Sequence, residues 1–326
     1  MFIKQPKGKK MIPKHFEIRF EPTTLCNYKC IYCGNKALKR KKETMSLELF
    51  KRLLDKIMNE TDQYKSITFV GIGEPLLDSG LEEKVAYSRN KYFDKFIPVT
   101  TNGSLLTVDR LDSLGRAGVD LIRVSLQGIT PEGYEKTSGR NKKTYTTVLR
   151  NIFNASERIQ EKKYNIELVV SVVLVGSEEI NLVDVCKNTF KDACSFLEIW
   201  TPHNTGDCFS FRKIKKQRKN TCGMLFNGPL NVYVDGRIGL CCMEVHGKHI
   251  LGDLKTQSLE EIYSSVLFKK IAAYHKNGKF KGSNLVCENC DQRNLDKSEA
   301  LVYNSKFSNY KERIDKGSPA FFQNKK

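Results

Sequence analysis

HFEIRFEPTTLCNYKCIYC, residues His15–Cys33, places an alternating strand, His15 to Phe20, directly ahead of three cysteines. Cys26, Cys30 and Cys33 follow the spacing C-x3-C-x2-C. Three thiolates on one short loop can fold around a single inorganic cluster. A [4Fe–4S] cube needs four ligands, and the local sequence supplies three, so one iron stays open. Zinc is the competing metal, but a structural zinc site takes four protein ligands. No histidine or fourth cysteine stands near this loop to complete one.

Downstream the chain alternates strands and helices. Helical spacing covers Leu47–Met58, with Ser46 as N-cap, and further helices are expected at Leu81–Asn90, Thr107–Ala117, Tyr145–Gln160 and Asn181–Phe190. Short apolar strands are expected at Ser66–Gly71, Phe96–Thr101, Leu121–Leu126, Ile166–Val175 and Phe196–Thr201. About six β/α units argue for a parallel sheet with helices outside, either an open doubly wound sheet or an incomplete barrel. In both, ligands bind at the C-terminal ends of the strands. The cysteine loop follows strand one, Gly73-Glu74-Pro75 follows strand two, and Thr101-Asn102-Gly103 closes strand three. These groups therefore share one rim.

The pattern changes after Trp200. The reading divides the chain into a basic segment 1–14, a core 15–205, a linker 206–221, a separate small module 222–300 and a tail 301–326. The module holds a hairpin over Leu230–Leu240 turning at Asp235-Gly236, a helix over Leu259–His275 and the pair Cys287–Cys290. Cys222, then Cys241 or Cys242, then Cys287 and Cys290 can make a four-thiolate site for zinc or for an iron–sulfur cluster. Cys186, Cys194 and Cys208 read as structural or incidental.

The chain has 326 residues, 11 cysteines and a formal net charge of +18. An odd cysteine count excludes complete pairing within one chain. With no membrane span and no signal-peptide core, a cytoplasmic protein is expected, where clustered cysteines bind metal or do redox chemistry. The positive charge reads as a lysine-rich solvated surface, or as attraction for an anionic substrate near Lys39-Arg40-Lys41-Lys42. No recognisable nucleic-acid motif accompanies the basic runs, so no nucleic-acid partner is expected.

The C-x3-C-x-aromatic-C signature resembles the radical S-adenosylmethionine (SAM) superfamily. That resemblance implies a partial (β/α)6 TIM-like barrel and a [4Fe–4S] cluster whose open iron chelates SAM. Reductive cleavage would give a 5′-deoxyadenosyl radical that takes a substrate hydrogen, with flavodoxin or ferredoxin as electron donor. It also implies roles for cofactor-binding residues. Tyr32 would lie against adenine. Gly73, Glu74 and Pro75 would meet the SAM amino group, with Glu74 as acceptor. Thr101 and Asn102 match the strand-three motif. Ser125 and Gln127 match the ribose-contacting segment, Gly176 the adenine-flanking strand end, and Arg140 would bind the SAM carboxylate. Ile72 and Gln127 depart from the family pattern, where glycine and aspartate are usual.

The C-terminal cysteines resemble the SPASM/Twitch extension in its short form, with one auxiliary cluster held by Cys222, Cys241 (or Cys242), Cys287 and Cys290. This form resembles a radical SAM dehydrogenase that oxidises an aminocyclitol alcohol, so the expected reaction is two-electron oxidation of a sugar-like or hydroxylated small molecule. The alternatives are epimerisation with Cys242 as hydrogen donor, and modification of a ribosomal peptide. A zinc-containing RNA-binding protein is the non-enzyme alternative. His203, after the last core strand, is a candidate acid or base.

Overall fold

A computed structural model describes residues 13–176, 182–295 and 300–304. Six parallel strands lie side by side in chain order: β1 (Glu17–Phe20), β2 (Ser66–Phe69), β3 (Pro98–Thr101), β4 (Leu121–Leu126), β5 (Glu167–Val173) and β6 (Phe196–Trp200). The helices between them are α1 (Leu47–Glu60), α2 (Leu81–Lys91), α3 (Val108–Ala117), α4 (Pro131–Ser138), α5 (Lys142–Glu161) and α6 (Val183–Phe190). The sheet curves into a partial barrel and does not close, because its outermost strands do not pair with each other.

Strand alternation sorts the side chains. Ile18 and Phe20 of β1 are buried against the helices, with the Phe20 ring 4.8 Å from that of Phe50. Arg19, on the opposite face of the same strand, looks into the barrel. β4 repeats the pattern: Ile122 and Val124 face the helical layer, and Arg123 and Ser125 face inward. Helix signals act where the sequence places them. The Ser46 hydroxyl accepts the Leu49 N–H, and Gly118 adopts φ 94° to close α3.

The C-terminal segment, read as a small module of its own, adds its strands to the same sheet. β7 (Leu230–Val232) pairs in parallel with β1, and β8 (Arg237–Gly239) and β9 (Ile250–Asp253) continue the same sheet, giving nine strands so far among the described residues. Backbone hydrogen bonding between Ile18–Phe20 and Leu230–Val232 makes core and extension one framework. β10 (Ala300–Asn304) pairs antiparallel with β6, so the region read as the start of a tail contains an edge strand. The expected linker also packs: Lys219 N–H donates to Arg293 O, and Arg218 bridges Asn294. The single helix expected at Leu259–His275 is two, α8 (Leu259–Ser264) and α9 (Val266–Asn277), after the short α7 (Met224–Asn227). Ser265, extended at ψ 154°, caps the second one.

Candidate functional site

The cysteine loop is held from several sides. Thr24 N–H donates to Glu43 O, Ile31 N–H to Thr137 O, and Asn35 Nδ2 to both Thr24 O and Ile72 O. Cys26, Cys30 and Cys33 are half-buried free thiols. Burial pushes the Cys26 thiol up to about 11, and the neighbouring Cys33 adds to that shift. Cys30 is raised by burial and by both other thiols. Three crowded thiols that resist ionisation alone are a donor set that needs a bound cation to become thiolates.

The loop after β2 docks on the cysteine loop. Glu74 N–H donates to Leu25 O at 2.8 Å, and a side chain at Gly73 would collide with the Thr23 and Leu25 carbonyl oxygens. Pro75 opens the short helix Pro75–Leu77 and is buried. The buried Glu74 carboxylate accepts from Thr101 Oγ1 (2.7 Å), Leu76 N (2.9 Å) and Asn102 N (2.6 Å). Asn102 Nδ2 then donates to Asn27 Oδ1 inside the cysteine motif at 2.8 Å. Glu74 was expected as the acceptor for an incoming amino group. In the structure both of its oxygens brace the second and third strand ends, because burial requires internal partners for a carboxylate.

Gln127 is buried. Its Nε2 donates to Ser125 O at 2.9 Å, and its Oε1 has no hydrogen-bond partner. A buried acceptor without a partner suits a hydroxyl donor; Ser125, two residues before it, lines the barrel cavity. Arg140 is exposed, with its guanidinium 5.9 Å from the centre of the Tyr28 ring. It is not among the residues that line the barrel cavity. Gly176 has φ 101° and open space around it. Ser177 to Glu179, the rest of that motif, lie outside the described residues.

A cavity of about 380 Å³ occupies the barrel interior. Tyr32, Cys33, Ser125 and Val173 line it, as do Tyr233, Cys241, Cys242 and Met243. The cavity thus touches both cysteine groups. Most of its charges are matched in pairs: Arg40 forks onto Glu21 at 2.6 and 2.8 Å, and Arg123 meets Glu198 at 2.9 Å, while Glu244 accepts the backbone N–H groups of His246, Lys248 and His249. Arg19 meets Glu17 at 2.8 Å. Thr68, Thr100, Ser171 and Asn231 add neutral polar groups. His203 also lines the cavity, with Nδ1 3.0 Å from Gln292 Nε2 and 3.8 Å from Asp291 Oδ2. Burial raises the Asp291 carboxyl, but His203 and Arg212 outweigh it and hold the group below the usual range.

Cys222, Cys241, Cys287 and Cys290 line a second, narrow cavity. Cys241 borders both cavities, whereas Cys242 borders only the barrel cavity. The turn that follows β8 directs Cys241 toward the other three thiols. Burial raises Cys241 well above its ordinary value, reinforced by the neighbouring thiols, and raises Cys287 to about 12. With Cys287 and Cys290 buried and Cys222 and Cys241 half-buried, this second set of thiols is a donor set suited to a metal-bearing occupant. Among the described residues, no three such side chains converge on one point to hold a single metal ion. His275 and Arg293 also line this cavity.

Sequence reading missed the inward charges Arg19, Arg123 and Glu198, and also His275 and Arg293. A signal for the first was present: charged residues at every second position of β1, at Glu17, Arg19 and Glu21, are out of place in a strand buried on both faces. Cys186 and Cys194 sit in the core, as expected of incidental cysteines, whereas Cys208 Sγ lies 3.3 Å from His246 Nε2.

Residues 20–181 match the family model described as the radical SAM superfamily, and residues 222–291 match SPASM, an iron–sulfur cluster-binding domain. A probable GTP 3′,8-cyclase of Methanosarcina mazei is 33% identical over 143 residues, 43% of this chain and 41% of that protein. The matched region spans about half the length, or less, of the curated relatives. The crystal structure of BtrN in complex with AdoMet and 2-DOIA is similar with a TM-score of 0.61. It is 20% identical and covers 89% of this chain and 100% of BtrN. Native anSMEcpe with bound AdoMet and Cp18Cys peptide gives 0.61 at 18% identity, covering 93% and 96%. At these identities the structural likeness is one of fold.

Proposed function

Because the chain belongs to the radical SAM superfamily and carries a SPASM iron–sulfur domain, we propose that it removes two electrons from a small hydroxylated substrate held in the barrel cavity. The observation behind this reading is a single cavity bordered by Cys33 of one thiol group and Cys241 of the other. The cofactors are SAM and [4Fe–4S] clusters. Cys26, Cys30 and Cys33 would hold the cluster that binds SAM, and Cys222, Cys241, Cys287 and Cys290 the auxiliary one. When bound, these groups supply a hydrogen-abstracting radical and a one-electron acceptor.

The rest falls to the chain. Gln127 Oε1 offers an acceptor to a ribose hydroxyl. The lining arginines and glutamates balance, so the cavity carries little net charge, which suits a neutral hydroxylated substrate better than a phosphate. His203, which lines the cavity next to Gln292 and Asp291, would take the proton that a carbinol loses on oxidation. Trp200 and Met243 supply apolar wall that helps exclude water. Electrons for the first step would come from a flavodoxin or ferredoxin.

Epimerisation is the second reading, and the cavity-facing thiol of Cys242 favours it. The test uses protein reconstituted without oxygen, reduced in deuterated water with SAM and a panel of aminocyclitols and amino sugars. Oxidation gives a carbonyl product two mass units lighter, with no deuterium at carbon. Cys242→Ala should retain about eight irons per chain and still oxidise, whereas Cys241→Ala should lose about half the iron. Solvent deuterium fixed at carbon, together with loss of turnover in Cys242→Ala, would transfer the assignment to epimerisation.

A further inference from the structure

Arg293 is a buried cation, 5% exposed, on the wall of the four-cysteine cavity. Nε donates to Lys219 O at 3.1 Å, Nη1 to Cys287 O at 3.2 Å and Nη2 to Gly278 O at 3.4 Å. Its guanidinium carbon lies 4.0 Å from the centre of the Phe280 ring. Among the described residues, no ion pair joins it to a carboxylate. A buried charge without a counterion is costly, so a residue placed here implies an anion in the cavity it faces.

His275 stands on the same wall and is also buried. Its Nδ1 lies 2.8 Å from Thr221 Oγ1 and its Nε2 lies 3.5 Å from Cys287 Sγ. When the Thr221 hydroxyl donates to Nδ1, the ring proton sits on Nε2 and points at the Cys287 sulfur. The ring is fixed edge-on between Phe226 and Phe280, with centroids 5.9 and 4.9 Å away.

We infer that Arg293 and His275 hold up the reduction potential of the auxiliary cluster and so make it the electron sink of the reaction. This rests on the proposal that the auxiliary cavity holds a [4Fe–4S] cluster that accepts an electron from the substrate. An electron received there would add one negative charge and no proton to the site. A fixed cation in a low-dielectric wall favours that more negative state, and so does an N–H aimed at a ligand sulfur. Both are positioning residues and touch no substrate.

The experiment uses the full chain with Cys26, Cys30 and Cys33 replaced by Ala, which isolates the auxiliary site. Metal analysis comes first, followed by a redox titration monitored by electron paramagnetic resonance. Arg293→Gln should lower the midpoint by about 60 mV, a tenfold shift for one electron. His275→Phe, which keeps the ring packing, should lower it by a smaller amount, and Arg293→Lys should leave it near the parent value. If Arg293→Gln does not retain iron, His275→Phe decides alone. Midpoints unchanged in the iron-loaded variants would overturn the inference and leave the function untouched. A site loaded with zinc and no iron would overturn both, and the metal analysis identifies that case.

Discussion

His15 shows how one side chain ties folding to pH. It is 4% exposed, with Nδ1 2.6 Å from Gly228 O and its ring 5.8 Å from that of Tyr263. Burial lowers its pKa to about 4, although the Gly228 hydrogen bond favours the charged form. A lowered histidine pKa means that the unfolded chain binds the extra proton. Stability is therefore complete above about pH 6.5 and is lost as pH falls toward 4, in all about 3 kcal/mol. His15→Gln keeps a donor but does not titrate. Relative to this variant, the parent should lose about 1.4 kcal/mol per pH unit below pH 6.5, measured by urea unfolding at several pH values. Parallel profiles for the two proteins would contradict the burial argument.

At the scale of elements, the three strand-end loops act as one body. Gly73 is the point of closest approach, since a Cβ there would run into the Thr23 and Leu25 carbonyls. Neither carbonyl can withdraw easily, because Thr23 Oγ1 is bonded to Glu43 O and receives Leu25 N–H. Gly73→Ala should push the cysteine loop away, cost about 1–3 kcal/mol and release the iron of the first site alone, leaving roughly half of the total. Retention of all the iron would show that the loop has slack. Much of this was legible, since the strand-end motifs follow in order along the sequence and parallel strands put their ends on one rim. Less legible was α4, an eight-residue helix that depends on Thr130 as cap and Pro131 in its first turn. The choice between Cys241 and Cys242 was also closed to sequence, because both follow β8 in a turn whose geometry decides which thiol faces the other three. The split at Ser265 was overlooked although serine is a common N-cap.

For the molecule as a whole, the decisive contact joins chain segments far apart in sequence, and for that reason it left no local pattern to read. β7 covers the edge of β1, with Ile18, Arg19 and Phe20 opposite Leu230, Asn231 and Val232. Side chains reinforce the seam. Glu21 Oε2 accepts Val234 N–H at 3.1 Å, and Arg40 Nε donates to Val245 O at 2.9 Å while its guanidinium lies 4.0 Å from the centre of the Tyr233 ring. Helix α1 joins on the other side: Lys56 Nζ donates to Leu254 O, and Glu60 Oε2 accepts Leu259 N–H. A chain cut after residue 221 would expose β1 as an unpaired edge and would leave the Glu21–Arg40 pair without its cover. Such an edge is a template for aggregation. The truncated chain should therefore be insoluble or aggregated by size-exclusion chromatography, and the full chain should melt in one calorimetric transition. Two separate transitions, or a soluble 1–221 fragment that still loads about four irons, would mean that the barrel stands without the SPASM strands and that the shared sheet is packing rather than framework.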